Sequence, residues 1–299
     1  MNNRFKEIYL KAENGMTFEV TEQGDSLLIR VLPQSTIGKY NSNYAINPVL
    51  PEGYSYVCGE VNTGFVIQDE RSNQFVWVPV GVLPSNGTLD GENFFEKLGR
   101  RNYRDDKFST DEFYEDMDDD LRRQFESVQK YGGYYISRYV VSKGDDGLFY
   151  TIKGAMPLVN IKFDTALEIA KKLGQGYVTS HMVYGAEWDS MLEWFQQTGK
   201  TLNDITNDST SFGNYCDCKD SPQKMVETGS CDEWYVNNIA DTAGNVWEWT
   251  QEANHGWAHV LRGGSYISSG YRCPVAYRSY SSTDNYNHFI GFRVALYIM

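Results

Sequence analysis

Residues 241–250 read DTAGNVWEWT, residues 260–266 read VLRGGSY and residues 290–296 read IGFRVAL. Each run is apolar and rich in aromatic residues, and glycines and polar residues bound it. Short apolar runs between such boundaries are typical of β-strands joined by tight connections. The three runs therefore predict a β scaffold near the C-terminal end of the chain.

The segment from Tyr266 to Phe289 differs from the rest of the chain in composition. It contains none of the residue types Lys, Glu, Gln, Trp and Met, which make up 59 of the 299 residues, so a random window of 24 would hold about five of them. Tyr, Ser, Asn, Arg and Gly are frequent instead. Tyr provides rigid contact area at a small loss of entropy, and Ser, Gly and Asn provide adaptable hydrogen bonds, as in antibody loops. We therefore predict a displayed contact surface between the scaffold strands.

The whole chain has an ordinary globular composition, with 41% hydrophobic and 22% charged residues. Its formal net charge of −13 argues against nucleic-acid and anionic-membrane partners, because both favour a basic surface. No apolar run approaches the roughly 18 residues of a membrane-spanning helix, and the first residues lack the apolar core of a secretory signal. We expect synthesis in the cytoplasm without classical export, followed by display on a virion.

Residues 1–48 are expected to form a small β appendage. Residues 16–21 alternate between apolar and polar, residues 24–25 suit a turn, and residues 27–32 are apolar enough to pair back. A two-stranded hairpin is marginally stable alone, so it is expected to pack on the main domain or on another subunit. Residues 49–299 are expected to form that main domain.

Within the main domain the sequence predicts a hairpin and three helices. The hairpin pairs residues 64–67 with residues 74–79, and its Trp77 is interpreted as a core residue. A capping-box pattern at residues 109–112 predicts the start of the first helix. The second helix is expected to be capped by Asp164 and to end near Leu173, and the third to span residues 186–198 before a glycine stop.

The C-terminal runs also carry a family resemblance. GNVWEWT at 244–250, RGGS at 262–265 and GFR at 291–293 resemble the formylglycine-generating-enzyme family, a branch of the C-type lectin fold. Weaker similarity extends back to residues 64–79, so the resemblance covers about residues 49–299. It implies an α+β protein with a C-type lectin-like fold of the formylglycine-generating-enzyme type, to which the N-terminal appendage is added. Function must be argued from the sites, because one fold hosts many functions.

The resemblance implies a cation site on the turn before the Trp-Glu-Trp strand. Carried over onto this sequence, its ligands are two carboxylates and two main-chain carbonyls, those of Asp241, Glu248, Gly244 and Val246. Oxygen ligands of this kind suit calcium, a hard cation, and the implied role is structural. In the alternative interpretation Glu248 pairs with an arginine such as Arg262 or Arg293.

The resemblance also raises catalysis as an alternative function. Formylglycine-generating enzymes oxidise a substrate cysteine with copper held by two thiolates, the first of them shortly after the Gly-Gly-Ser strand. Residues 266–271 contain no cysteine, and Cys273 stands alone, whereas copper(I) needs soft sulfur ligands. The related iron-dependent sulfoxide synthases need a histidine cluster, and the four histidines here match no such pattern; His181 is interpreted as structural. No redox metal is therefore expected.

Three further cysteines, Cys216, Cys218 and Cys231, lie in the polar region 201–235. A structural zinc site takes four nitrogen or sulfur ligands at familiar spacings. These three thiols are therefore a weak zinc signal.

The variable proteins of diversity-generating retroelements share this fold and these anchors, and the C-terminal region resembles them. In that group an error-prone reverse transcriptase mutates adenines, so that Asn codons become many residue types but never Lys, Glu, Gln, Trp or Met. The resemblance implies a variable ligand-binding region at about residues 254–289, with Arg278 as fixed scaffold. The expected contact residues are Asn254, Trp257, Ile267, Ser268, Ser269, Tyr271, Arg272, Cys273, Tyr280, Ser281, Ser282, Asp284, Tyr286, His288 and Phe289.

We therefore expect a non-catalytic receptor-binding protein, encoded by a phage or prophage, whose partner is a protein or glycan on a cell surface. The first alternative is a catalytic formylglycine-generating oxidase or iron-dependent sulfoxide synthase of the same fold. The second is a structural virion subunit without a ligand.

Overall fold

The computed structural model describes residues 16–23, 26–33, 48–80, 113–114, 118–254 and 257–299. The strands are β1 Met16–Gln23, β2 Ser26–Pro33, β3 Tyr54–Cys58, β4 Val66–Asp69, β5 Gln74–Pro79, β6 Phe113–Tyr114, β7 Gly133–Ser137, β8 Ser142–Lys143, β9 Phe149–Tyr150, β10 Val178–Met182, β11 Tyr235–Val236, β12 Ile239–Ala240, β13 Trp247–Asn254, β14 Ala258–Arg262, β15 Ser279–Ser282, β16 Ile290–Phe292 and β17 Val294–Ile298. The helices are α1 Asp119–Tyr131, α2 Phe163–Ala170, α3 Gly185–Thr198 and α4 Leu202–Thr206, with short 3-10 turns at Thr210–Phe212 and Asp232–Trp234.

An antiparallel sheet and a mixed sheet organise the main domain, and the α+β class is as predicted. The first sheet has the strand order β10-β17-β7-β5-β4-β3. The second has the order β15-β14-β13-β16, and β6 pairs with the far end of β13. All three apolar runs of the C-terminal region form strands, and β13 and β16 pair in parallel. The predicted displayed segment therefore connects β14 to β16 of the second sheet and contains β15.

The first sheet is buried on both faces, because successive side chains of a strand point to opposite sides. On β5, Val76 and Val78 enter the core that α1 and α3 cover. Phe75 and Trp77 enter a second core, which α2 and the second sheet cover. Trp77 has no exposed surface, so its predicted core position is confirmed. The predicted hairpin is confirmed as well, since β4 and β5 pair in antiparallel register.

The first helix begins later than predicted. Its N-cap is Asp118, whose carboxylate accepts the N–H of Leu121 at 2.8 Å, and Phe113 belongs to β6 instead of the helix. Pairing with β13 holds residues 113–114 in extended conformation, and Asp118 then supplies the acceptor that a helix start needs. The predicted capping box at 109–112 lies outside the described residues.

The second helix also differs from the prediction at both ends. Its N-cap is Lys162 and makes no side-chain cap hydrogen bond, so Asp164 lies in the first turn instead of capping it. The helix ends at Ala170, three residues before the predicted end at Leu173, which is buried. The third helix agrees with the prediction to within one residue, and Gly199 ends it with a φ of 140°.

The N-terminal hairpin is confirmed as a pair of strands. β1 and β2 pair in antiparallel register from Met16 opposite Pro33 to Gln23 opposite Ser26. Within the described residues they form a sheet of their own. The remaining positions of 1–47 lie outside the described residues, and the predicted domain boundary between residues 48 and 49 stays a prediction.

Candidate functional site

Two arginines and two carboxylates form a buried ring at the base of the displayed segment, residues 266–289. Arg262 of β14 donates to Asp189 of α3 at 2.6 Å and to Glu252 of β13 at 3.4 Å. Arg278, next to the start of β15, donates to Glu252 at 2.9 Å and also to Asp189. The four side chains are at most 1% exposed. The ring joins a helix, a hairpin and the displayed segment at one point.

The ring is electrically balanced, which is the condition for burying charge. Burial and the neighbouring Arg278 lower the pKa of Arg262, while Asp189 and Glu252 oppose that shift. Removing one member of such a network leaves an uncompensated buried charge, at about 3–5 kcal/mol of stability. The ring is therefore a fixed point of the scaffold, in agreement with the scaffold role predicted for Arg278.

The loop between β14 and β15 is held mainly by main-chain hydrogen bonds. The carbonyl of Ser268 accepts the N–H of Cys216, and the carbonyl of Gly270 accepts the N–H of Ser209. The N–H of Val275 donates to Oγ of Ser209 at 2.9 Å. In each of these contacts the loop contributes a main-chain carbonyl or N–H group. Every residue has the carbonyl, and every residue except proline has the N–H.

The loop between β15 and β16 is held in the same way. The carbonyl of Thr283 accepts the N–H of Phe163 at 3.3 Å, and the carbonyl of Asn287 accepts the N–H of Asn160 at 2.9 Å. Phe163 is the first residue of α2, and Asn160 lies three residues before it. The conformation of the two loops is thus compatible with many side chains at the exposed positions.

Eight of the fifteen predicted contact residues are exposed. The largest exposed fractions belong to Tyr271 at 70%, Tyr286 at 59% and Trp257 at 58%. The exposed set is Trp257, Ile267, Tyr271, Arg272, Tyr280, Asp284, Tyr286 and His288. Five of the eleven large apolar side chains that are exposed in the described residues belong to this set. Exposed apolar side chains are therefore frequent on β15 and in the loops around it, and among them Trp257 and Tyr280 are in ring contact.

Six other predicted contact residues are half-buried at the edge of this surface. Ser269 donates from Oγ to Asp217 at 2.6 Å, and Cys273 and Phe289 pack against the second core. The half-buried set is Ser268, Ser269, Cys273, Ser281, Ser282 and Phe289. These side chains connect the surface to the scaffold.

Asn254 is not a surface residue, and its predicted contact position is wrong. Its side chain is 1% exposed. Strand β13 runs for eight residues and ends at Asn254, which pairs with Ala258 on one side and Phe113 on the other. Pairing on both sides of the strand encloses a residue that local polarity alone places in solvent.

At the implied cation site, Glu248 lies against an arginine. Arg293 donates to both carboxylate oxygens, from Nε at 2.6 Å and from Nη2 at 2.7 Å. This contact is the ion pair named in the alternative interpretation. Burial raises the pKa of Glu248, Arg293 opposes the shift, and Asp241 adds to it. The two carboxylates are therefore close enough to influence one another.

Asp241 has one satisfied and one unsatisfied carboxylate oxygen. Its Oδ2 accepts from Oγ1 of Thr228 at 2.7 Å and from the N–H of Gly229 at 2.8 Å. Its Oδ1 is buried and lacks a hydrogen-bond partner among the described residues. Burial raises the pKa of Asp241, although these hydrogen bonds and Arg293 oppose the shift. An unpartnered buried carboxylate oxygen suits a bound cation.

The other two implied ligands lie on the same turn. Gly244 has a φ of 72°, and an added Cβ would lie 2.4 Å from the carbonyl oxygen of Asn214. Val246 is fully buried. With two carboxylates beside one guanidinium, the turn has an excess of buried negative charge, so the residues present fit a hard cation.

The cysteines and histidines lie in separate surroundings. The described residues contain no group of three or more His, Cys, Asp or Glu side chains positioned to hold a metal ion. All five cysteines are free thiols. His181 is buried beside Glu187, with Nε2 2.9 Å from Oε1, and this position agrees with its predicted structural role. His259 stacks on Phe163.

Sequence reasoning missed Asp189 and Glu252, the two acids of the buried ring. Asp189 lies in the run of α3 whose neighbours Trp188 and Ser190 are also buried, and Glu252 follows the second tryptophan of the β13 motif by three residues. An acid within an otherwise inward-facing stretch was the available signal. The partner of Asp189 could not be predicted from the sequence, because Asp189 and Arg278 are 89 positions apart.

Residues 70–298 match the family described as "Sulfatase-modifying factor enzyme 1-like domain". Among solved structures, PvdO from Pseudomonas aeruginosa is 16% identical with a TM-score of 0.48, over 81% of this chain and 100% of that one. Treponema denticola variable protein 1 is 18% identical with a TM-score of 0.39, over 55% and 84%. A Major Tropism Determinant U1 variant is 12% identical with a TM-score of 0.37, over 76% and 64%. No curated protein matches the chain.

None of the helices in the described ranges is both long and apolar enough to cross a membrane.

Proposed function

This chain belongs to the sulfatase-modifying factor enzyme 1-like domain family, which matches residues 70–298, and we propose that it is a non-catalytic ligand-binding member. Its α+β fold is the C-type lectin-like fold of the formylglycine-generating-enzyme type. One observation carries the proposal: exposed aromatic side chains project from loops that are bonded to the scaffold mainly through their main chain. Such loops can change their side chains without losing their shape.

The binding mechanism is surface complementarity. Tyr271, Tyr280 and Tyr286 provide large contact areas that lose little rotamer entropy on binding, and Arg272 and His288 add polar contacts at exposed positions. Functional residues on loops of a rigid scaffold are the general arrangement for recognition. The buried ring of Asp189, Glu252, Arg262 and Arg278 keeps the base of the β14–β15 loop in place.

We further propose that a diversity-generating retroelement varies this surface. The proposal rests on the composition of Tyr266 to Phe289, which lacks every residue type that adenine mutagenesis of Asn codons cannot produce. The ligand is then a protein or glycan on a cell surface, and a virion is the place from which such a receptor-binding protein acts. Catalysis by a copper or iron oxidase of the same fold is the competing function.

Calcium is proposed as a structural ion at the turn before β13. The Asp241 and Glu248 carboxylates would hold it together with the main-chain carbonyls of Gly244 and Val246. A bound divalent cation would balance the excess negative charge there and give Oδ1 of Asp241 a partner. Its role would be to stabilise the turn, with no part in any reaction.

The decisive experiment is deep sequencing of this gene across one source population. We expect substitutions at codons for exposed residues such as Tyr271, Tyr280 and Tyr286, and none at the buried Arg278 or at Gly264. The substitutions should trace to adenines in a nearby template copy. An invariant segment contradicts diversification, and substitutions spread equally over buried and exposed codons contradict display.

A further inference from the structure

One tryptophan of this chain is placed unlike the other six. All seven lie in the described part of the chain, and six of them are at most 7% exposed, whereas Trp257 is 58% exposed. Tryptophan is the largest apolar side chain, and a soluble domain usually buries most of it. The exposure of Trp257 therefore indicates a role outside the core.

Trp257 lies directly beside the proposed variable surface. It immediately precedes β14, and its ring meets that of Tyr280 edge-to-face, with centroids 6.5 Å apart and an interplanar angle of 85°. Tyr280 lies on β15, which pairs with β14, so the ring contact joins the residue before β14 to the neighbouring strand. Together they form one continuous exposed aromatic patch.

The two residues differ in how their codons can arise. Tyr280 lies in the segment without Lys, Glu, Gln, Trp or Met, and tyrosine is reachable from an Asn codon by a change of one adenine. Tryptophan is not reachable in that way, because its codon ends in guanine. Under the proposed diversification by a retroelement, Trp257 would therefore be a constant position within the variable region, although its side chain lies beside variable residues.

We propose that Trp257 is a constant binding anchor that contacts the ligand in every variant, while the variable residues around it set specificity. This inference rests on the proposed display function. Binding hot spots are enriched in Trp, Tyr and Arg, and they become strongest where neighbouring side chains exclude water. Tyr280 covers one edge of the indole, and the partner would cover the remaining exposed face.

The test uses two libraries of the full-length chain that differ only at position 257. In both, the exposed positions 267, 271, 272, 280, 284, 286 and 288 are randomised. One library keeps Trp257 and the other carries Trp257→Ala. Both are selected against the same panel of purified proteins: lysozyme, serum albumin and streptavidin. Each binder from the first library is then measured by surface plasmon resonance with Trp257→Ala and with Tyr177→Ala.

Tyr177 is the matched control, because its side chain is 57% exposed at the start of β10, in the other sheet. We expect Trp257→Ala to raise Kd at least about 30-fold in every binder, the loss typical of a hot-spot residue, and Tyr177→Ala to change it less than about 3-fold. The loss should persist in binders without an aromatic residue at position 280, which separates direct contact from support of Tyr280.

The remaining outcomes overturn the inference in distinguishable ways. If binders appear but Trp257→Ala leaves Kd unchanged in some or all of them, the constant anchor is refuted and the display function stands. A loss confined to binders with an aromatic residue at 280 refutes direct contact. If neither library yields binders to any of the three proteins, the display function fails, and the anchor fails with it.

Discussion

Arg278 and Tyr280 lie two residues apart, but Arg278 is 1% exposed inside the buried ring whereas Tyr280 is 43% exposed on the surface. Residues two apart on a regular strand point to the same side, so alternation alone would place both side chains together. They separate because Arg278 lies just before β15 begins, outside the regular part of the strand. One short stretch of chain thus contains both a fixed anchor and a contact residue. Substitutions at the two positions should therefore have different effects.

Replacing Arg278 should destabilise the fold. Arg278→Met removes the cation shared by Asp189 and Glu252, both fully buried, so we expect a loss of about 3–5 kcal/mol in the free energy of unfolding. Urea denaturation followed by tryptophan fluorescence measures it. The control is Lys162→Met, which breaks the exposed 3.1 Å ion pair with Asp284 and should change stability by less than about 1 kcal/mol. Equal effects would show that the buried ring has no special weight.

Exposed loop residues should tolerate replacement. Tyr271→Ser and Tyr286→Ser should each leave the free energy of unfolding within about 0.5 kcal/mol, because neither position is buried. Gly264→Ala, in the same region, should cost about 1–3 kcal/mol, because its Cβ would lie 2.6 Å from the Tyr215 ring at a φ of 78°. Thermal melts of the three variants measure the difference. Marked destabilisation by the tyrosine substitutions would contradict a surface built for variation.

The cation site predicts a specific dependence on pH and calcium. Burial raises the pKa of Asp241 above its usual 3.8, so the folded protein holds that proton more tightly than the unfolded chain does. This stabilising contribution is fully present below about pH 3.8 and is lost as the pH rises through the raised folded pKa. Without calcium, Asp241→Asn should therefore gain stability over the wild type as the pH rises above that window.

Calcium should reverse the order of the two proteins. Adding calcium in place of a chelator should raise the Tm of the wild type at pH 7 and leave that of Asp241→Asn unchanged, because the variant lacks the second carboxylate. Differential scanning calorimetry gives both values. Asp284→Asn, at an exposed acid, serves as the control and should respond to calcium as the wild type does. A calcium response retained by Asp241→Asn would place the ion elsewhere.

The competing catalytic function is tested at Cys273. Incubated with copper(I) and a cysteine-containing peptide, the wild type should form no aldehyde, because the positions after the Gly-Gly-Ser motif supply one thiol where copper(I) needs a pair. Mass spectrometry of the peptide detects the product. Aldehyde formed by the wild type and lost in Cys273→Ser would establish an oxidase and overturn the non-catalytic assignment.

The sequence alone determined features that depend on local patterns. Strands β13, β14 and β16 follow from apolar runs bounded by glycines, and the end of α3 follows from Gly199, because backbone preference and side-chain period act over a few residues. The family resemblance follows from three short motifs in order. The character of the Tyr266 to Phe289 surface follows from composition.

The tertiary structure decided what depends on distant partners. Strand pairing on both sides buried Asn254, pairing of residues 113–114 with β13 moved the start of the first helix to Asp119, and packing chose Arg293 as the partner of Glu248. Local sequence carries no information on such pairings, because the residues involved meet only in the folded chain. Phe113 and Asn254, for example, are 141 positions apart. The tertiary structure also decided which tyrosines face solvent and placed Trp257 beside Tyr280.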